Sequence, residues 1–397
     1  MSGPLEGVRV LDLSRVLSGP FCTMLLADLG AEVVKVEQPT KGDPARDLGP
    51  KVGGDSAYFI SVNRGKKSIT LNLFSEEGQS ILRRLVPHFD VLVENYVPGT
   101  MSRLGADYVK IKELNPAIIY ASISGFGQSG PYAARPALDI IVQAMGGIMS
   151  VTGEPGGPPI RPGASLGDSV AGTFTALAIL SALYQRRETG LGHYIDISML
   201  DCQVTMMENA FSRYFATNQV PGPLGTRHPA ATPFQAFAAS DGYFVVAMLT
   251  DDASTWRRFC QAIERPELGD DLRFLDNNSR MQHYQALAHV LERAFQEKPV
   301  AHWLAALSEA NIPCGPVNTI EQVANDPQVQ HRGMIASIPH PSLGQWKVAN
   351  TPFRLEGVAT GPSGPSPVLG QHTEEVLGSL LDMSQEEIRR LRSRGII

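Results

Sequence analysis

Arg161-Pro-Gly-Ala-Ser-Leu-Gly-Asp168 runs directly into an apolar stretch, Val170 to Tyr184. That order sets one carboxylate, Asp168, behind small residues at the start of a predicted buried helix. The first backbone N–H groups of a helix have no partner within it, and the dipole there is positive. Both favour an ionised, approachable carboxylate, which is what a nucleophilic aspartate requires. The same position suits a helix cap, and the local residues fit either role. Arg15 follows the first predicted strand, and ligands of open α/β sheets bind beyond the carboxyl ends of strands. As a loop arginine it fits a surface role equally well. Asn63-Arg-Gly-Lys-Lys-Ser68 places three cations in a glycine-containing loop. It could hold phosphate through charge and backbone N–H groups, or lie in solvent.

Other chemistries lack their signals. No G-x-G-x-x-G follows the first strand and no G-x-x-x-x-G-K-[ST] occurs, so nucleotide-binding fingerprints are missing. The nine histidines are scattered without metal-ligand spacing. No G-x-S-x-G elbow marks a serine hydrolase. With 43% hydrophobic and 19% charged residues the composition is that of a soluble globular protein, and the net charge of −6 argues against nucleic acid or an anionic membrane as partner. Cys22, Cys202, Cys260 and Cys314 are far apart, which suits free thiols in a cytoplasmic protein. The N-terminus shows no basic segment followed by an apolar one, and Val170 to Tyr184 is too short to span a bilayer.

The elements that must position these residues alternate in type. Val8–Leu13, Ala31–Val36, Ser68–Leu73, Asp90–Asn95 and Ala117–Ile123 read as strands. Helical patterns lie between them, opening at Gly19-Pro20, at Ser75–His88 and at Met101–Leu114. Strands alternating with helices predict an α/β fold with a mainly parallel sheet. At 397 residues two domains are expected. The Pro/Gly-rich stretch Gln219–Gly225 reads as a linker, and Ser240-Asp-Gly242 between two apolar runs reads as a hairpin turn. The expected division is a large domain over 1–220, a small α+β domain over 226–325, and a return segment over 326–397 that rejoins the large domain. Gly361–Pro367 is a second irregular connection, ahead of a helix at Glu374–Leu380.

Taken together, the motifs resemble the start and body of the class III CoA transferases, the CaiB/BaiF and formyl-CoA transferase-like group. The resemblance begins with Pro4-Leu-x-Gly-Val and Gly19-Pro20, then Leu26-Ala-Asp-Leu-Gly-Ala-Glu-Val-Val-Lys-Val-Glu37. It continues through Asn63–Ile69, Val93-Glu-Asn-Tyr-Val-Pro-Gly99, Gly125-Phe-Gly-Gln-Ser-Gly-Pro131 and Leu166-Gly-Asp168. It ends with Ile312-Pro-Cys-Gly-Pro-Val317 and Leu369-Gly-Gln-His-Thr373. Within the family the chain looks closest to succinyl-CoA:dicarboxylate (glutarate-type) transferases, through Ser14–Pro20, Glu94–Gly99 and Gly225-Thr-Arg-His228.

The resemblance implies a Rossmann-like large domain and an interlocked, ring-shaped homodimer, with the two irregular stretches joining the lobes. It implies that Asp168 attacks an acyl-CoA, passing through an aspartyl anhydride and an aspartyl-CoA thioester. CoA thioesters would be substrates, with no permanently bound cofactor and no metal. Contacts to CoA would come from Val16, Leu17, Gln38, Leu71, Asn72, Leu73, Phe74, Asn95, Tyr96, Val97, Arg103 and Arg135. Arg15, Ser18 and His228 would meet the carboxylic acid. Formyl-CoA transferase carries glutamine in place of Leu17, arginine in place of Gln38, and a tetraglycine loop that this chain lacks. Those departures point away from formate and oxalate and leave oxyanion stabilisation unassigned. An alpha-methylacyl-CoA racemase-like activity would need a histidine where Leu138 stands before Asp139. A non-catalytic acyl-CoA-binding protein would not need Asp168 within its full motif.

Overall fold

The computed structural model describes residues 3–249 and 252–397. The chain divides into two compact units, Met1–Met149 with Arg161–Gln219 and Pro327–Ile397, and Ser150–Ile160 with Val220–Asp326.

In the first unit the main elements are β1 (Arg9–Asp12), α1 (Ser18–Asp28), β2 (Glu32–Glu37), β3 (Lys67–Thr70), α2 (Glu76–Leu85), β4 (Val91–Glu94), β5 (Ile119–Ser124), α3 (Asp139–Met145), α4 (Leu166–Thr189), β6 (Tyr194–Ser198) and α5 (Met199–Met206). The six strands form one parallel sheet in the order β3-β2-β1-β4-β5-β6. Successive strand side chains point to opposite faces, and the apolar runs serve both. Val10, Val33, Val91 and Val93 pack with α1 and α4 on one face. Leu11, Val34 and Leu92 pack with α2 and the C-terminal helices on the other. A strand buried on both faces reads as a near-continuous apolar run, which makes β1 and β4 plain in the sequence, while β2 and β3 carry buried polar residues such as Lys35 and Ser68. Because β2 and β4 flank β1, the chain leaves β1 and β4 in diverging directions, and a crevice opens beyond their carboxyl ends.

Helix α4 packs beside α1 on one face of the sheet. Its buried face, Ala171, Gly172, Thr175, Ala176, Ile179 and Ala182, is built from small residues that let α1 come close. A Cβ on Gly172 would stand 2.6 Å from the Ser18 carbonyl oxygen, so glycine there sets how near the start of α1 can approach. At 24 residues α4 is long and apolar enough to cross a bilayer, unlike the shorter apolar run read from the sequence. In this fold it is a core helix against the sheet.

Some elements differ from the sequence reading. Met101–Leu114 is two helices, Thr100–Arg103 and Tyr108–Leu114, separated by left-handed Gly105 and restarted by the Asp107 cap. A second C-terminal helix, Gln385–Ser393, starts with a Ser384/Glu387 capping box. The return segment adds an antiparallel pair, β10 (Ile335–His340) and β11 (Gly344–Ala349). Gly361–Pro367 joins no lobes. It lies within the first unit, where Gly361 N–H donates to Asp28 O at 2.7 Å and Gly65 N–H to Pro365 O at 2.9 Å.

The second unit holds β7 (Phe234–Ala238), β8 (Tyr243–Ala247) and β9 (Cys314–Pro316), paired antiparallel with β8 in the middle. Four helices over 253–309 enclose an aromatic core of Phe237, Phe244, Trp256, Phe259, Phe295 and Trp303. Ser150–Ile160, placed by the sequence reading in the large domain, belongs here because Gly225 N–H donates to Gly153 O at 2.8 Å.

Candidate active site

Asp168 sits in the first turn of α4 but does not cap it. Asp139, at the start of α3, takes that role, its Oδ1 accepting the Gly167 N–H at 2.8 Å. Its Oδ2 is held by Arg161 Nη2 at 2.7 Å and Gln143 Nε2 at 2.8 Å. Gln203 from α5 donates to the Leu166 carbonyl at 3.3 Å. With the Gly167 N–H capped by Asp139, the Asp168 carboxylate is left close to Ser18, whose hydroxyl and backbone N–H favour its charged form.

The expected influence of the helix dipole is outweighed. Burial and the Asp139 charge push Asp168 up to about 6, against the Ser18 hydrogen bonds and the Arg161 charge. The carboxylate is still about nine-tenths ionised at pH 7, and less solvated than a surface aspartate. Tyr58 shares the neighbourhood. Burial and the charges of Asp168, Asp139 and Asp43 push its phenol up to about 12, so it is a neutral donor at physiological pH. Nothing in the spacing of the sequence singled out Tyr58 or the Asp139–Arg161 pair.

Ser18 is positioned by the loop that leaves β1. Asn95, just past β4, accepts the Arg15 N–H and donates to the Arg15 carbonyl, both at 2.8 Å. Its amide also donates to Ser18 Oγ at 3.1 Å. Beneath the loop lies buried charge. Asp12 accepts from Thr23 Oγ1 at 2.7 Å, from Lys66 at 3.0 Å and from the Ser14 hydroxyl. Against the cost of burial, Lys66, Lys35 and these hydrogen bonds hold its carboxyl well below the usual carboxylate range. Burial pulls Lys66 down to about 8.

The basic loop 63–68 is therefore neither a phosphate loop nor a solvated one. Arg64 pairs with Asp28 at 2.7 Å, Lys66 with Asp12 at 3.0 Å, and Lys67 with Glu32 and Glu375 at 2.7 and 2.8 Å.

A cavity of about 540 Å³ opens beside the loop that leaves β1, lined by Ser14 and Arg15. It brings together Arg15, Gln38, Leu71, Leu73, Phe74 and Tyr96 of the residues singled out from the sequence. Arg15 lies 4.5 Å over the Tyr96 ring and pairs with no carboxylate among the described residues. Phe74 is 80% exposed, an aromatic surface with no ring or cation partner among the described residues. Asn72 accepts the Phe74 N–H at 3.1 Å and so shapes the wall from behind. Val16 and Leu17 form the turn into α1. Val97 and Arg103 lie on the exposed segment after β4, with Arg103 donating to Thr100 at 3.1 Å. Arg135 is not a lining residue of the cavity; it stacks over Tyr132 at 4.6 Å. His228 belongs to the second unit, where its ring stacks on Phe234 at 4.7 Å and its Nδ1 accepts the Ala230 N–H at 3.2 Å. Among the described residues no three His, Cys, Asp or Glu side chains converge as metal ligands would.

Comparison with known proteins places this geometry. The CoA-transferase family III model matches residues 5–373. Succinyl-CoA:glutarate CoA-transferase of Mus musculus is 40% identical, across 99% of this chain and 90% of its own. Acetyl-CoA:oxalate CoA-transferase of Acetobacter aceti is 46% identical, across 84% of this chain and 85% of its own. The crystal structure of a CAIB/BAIF family protein from Brucella suis matches with a TM-score of 0.87 at 37% identity, covering 96% of this chain and 100% of that one. The agreement runs through sequence and fold alike, and the chain belongs to CoA-transferase family III, as a class III CoA transferase.

Proposed function

We propose that this enzyme moves CoA from succinyl-CoA to a dicarboxylic acid such as glutarate, with Asp168 as the nucleophile. The observation that carries the reading is Asp168 itself, freed from capping by Asp139 and set against Ser18 beside the crevice of the sheet. An Asp168 oxygen attacks the thioester carbonyl of the donor, the C–S bond breaks, and CoA leaves as thiolate. The thiolate then attacks the Asp168 carbonyl of the mixed anhydride, releasing the donor acid and leaving an aspartyl-CoA thioester. An acceptor carboxylate attacks that thioester and again expels CoA thiolate. The thiolate takes the acceptor acyl group from the new anhydride, and the Asp168 carboxylate is restored. Every intermediate is an activated acyl group, so no outside energy source is needed. A carboxylate is a weak nucleophile, so partial desolvation of Asp168 and close positioning supply much of the rate.

The cavity beside Arg15 fits the CoA moiety, with Phe74 and Tyr96 offering aromatic faces and Leu71 and Leu73 an apolar wall. The dicarboxylate reading is supported by the acids named for the two relatives, glutarate and oxalate, which both carry two carboxyl groups. Arg15, which pairs with no carboxylate among the described residues, suits the distal one. Oxalate is the second reading, favoured by the 46% identical relative from Acetobacter aceti despite Leu17 and Gln38. The working form in this reading is an interlocked homodimer. Exposed Leu177, Tyr184, Leu191, Met206 and Phe215 on the first unit are apolar surface that a second copy would cover. The Rossmann-like description rests on the strand order with its reversal at β1. A panel of mono- and dicarboxylic acids incubated with succinyl-CoA, read by mass spectrometry of the CoA products, tests the substrate assignment. Glutaryl-CoA should form fastest, oxalyl-CoA in first place would favour the second reading, and a preference for monocarboxylates would overturn both.

A further inference from the structure

The loop that delivers Ser18 to Asp168 contains one backbone conformation that its sequence resists. Val16 has φ of +65°, a left-handed geometry that is a genuine outlier for a β-branched residue. It is gripped from below. Asp43 accepts the Val16 N–H with its two oxygens at 3.1 and 3.3 Å. Lys35 pairs with Asp43 at 2.8 Å and donates to the Ser14 carbonyl at 2.7 Å. The Lys35 and Asp43 side chains are 0% and 1% exposed.

The neighbouring acids have cations of their own, Lys66 for Asp12 and Arg46 for Glu37. Asp43 and Lys35 are thus each other's direct ion-pair partner, with Asp12 and Glu37 adding to the charge around Lys35. Beyond that pairing, their hydrogen bonds go to backbone atoms, Val16 N–H, Ser14 O and the Ala45 N–H that Asp43 caps. Burying an ion pair is at best a weak source of stability. Holding a disfavoured loop conformation is a use that the geometry shows directly.

We propose that the buried Lys35–Asp43 pair is a positioning clamp that keeps Val16 left-handed and thereby sets Ser18 against Asp168. The clamp acts through Ser18 and touches no reacting atom. It rests on the assignment of Asp168 as nucleophile.

The requirement for a clamp exists because residue 16 is valine. Glycine takes up the same conformation freely. In the double variant Lys35→Met/Asp43→Ser, serine still caps Ala45 but is too short to reach Val16, and methionine leaves no unpaired cation. Its kcat should fall about tenfold or more. Adding Val16→Gly to that background should recover most of the loss, an outcome that a merely structural role for the pair does not produce. Failure of Val16→Gly to restore kcat would overturn the clamp. As a second measurement, Val16→Gly in the otherwise unaltered chain should raise Tm by releasing strain, and an unchanged or lower Tm would overturn the premise. Asp168→Ala is assayed in parallel. If it stays active, the nucleophile assignment has failed, whereas a dead Asp168→Ala with no glycine rescue isolates the failure to the clamp.

Discussion

Asp168→Asn should abolish transfer and stabilise the protein at neutral pH, and the stabilisation should disappear in acid. In the folded chain Asp168 is pushed up to about 6 by burial and Asp139, against about 3.9 when unfolded. A difference of about two pKa units corresponds to ~3 kcal/mol, and the partial exposure of Asp168 reduces this to about 1–2 kcal/mol. The sign follows from proton uptake. Between about pH 4 and pH 6 the folded state binds more protons than the unfolded one, so stability falls as pH rises through that window. Above it the folded protein carries the full cost of a charged, poorly solvated carboxylate. Asparagine keeps an acceptor for Ser18 and removes the charge. At about pH 7.5 its Tm should exceed that of wild type by about 1–4 °C, given that a chain of this size gains less per kcal/mol than a small domain. Below the unfolded pKa, at about pH 3.5, the two should melt nearly together. Thermal melts of both proteins across this range make the comparison. A difference that does not change with pH, or a variant less stable at neutrality, would refute the electrostatic reasoning.

The Asp139–Arg161 pair should tune the same carboxylate in opposite directions. Asp139→Asn removes a repelling charge and should move the acid limb of the kcat/KM profile to lower pH, whereas Arg161→Ala leaves Asp139 uncompensated and should move it to higher pH; shifts of the same sign would contradict the assignment. Arg15→Ala should cost about 10- to 150-fold in kcat/KM for glutarate, the worth of one charge-assisted contact. A monocarboxylate of similar length should be far less affected, and equal losses would mean that Arg15 does not read the distal carboxylate. Light scattering after size exclusion at low concentration should find a homodimer and no folded monomer. A compact monomer that exchanges reversibly would rule out interlocked chains.

Much of the frame can be read from the chain because most of β1 to β5 are short, largely apolar segments whose two faces are both buried. The sixth strand, Tyr194–Ser198, escaped notice because it lies at the sheet edge, where Tyr194 and Asp196 face outward and the apolar run is broken. The break at Gly105–Asp107 carried its own signals, a glycine and a capping aspartate, which the apolar period of Met101–Leu114 masked. Asp168 stands out locally as a carboxylate behind small residues ahead of an apolar helix, but that pattern fits a cap equally well, and its proposed role comes from the family resemblance. What tunes and frees it cannot be read locally. Asp139, which caps Gly167 in its place, is 28 residues away, and Tyr58 comes from another helix altogether. The basic loop 63–68 misled for the same reason. Arg64 and Lys66 turn inward to Asp28 and Asp12 while Lys67 pairs with Glu32 nearer the surface, and only tertiary packing shows that those acids are within reach.

The central claim is a covalent one, that CoA resides on Asp168 between the two half-reactions. Wild-type enzyme incubated with succinyl-CoA and no acceptor, quenched and analysed by intact-protein and peptide mass spectrometry, tests it directly. A CoA adduct should appear on the peptide containing Asp168, convert to the hydroxamate when hydroxylamine is added, and vanish on addition of acceptor acid as new acyl-CoA forms. Turnover with no adduct or hydroxamate at Asp168, or an adduct that persists in Asp168→Ala, would contradict it.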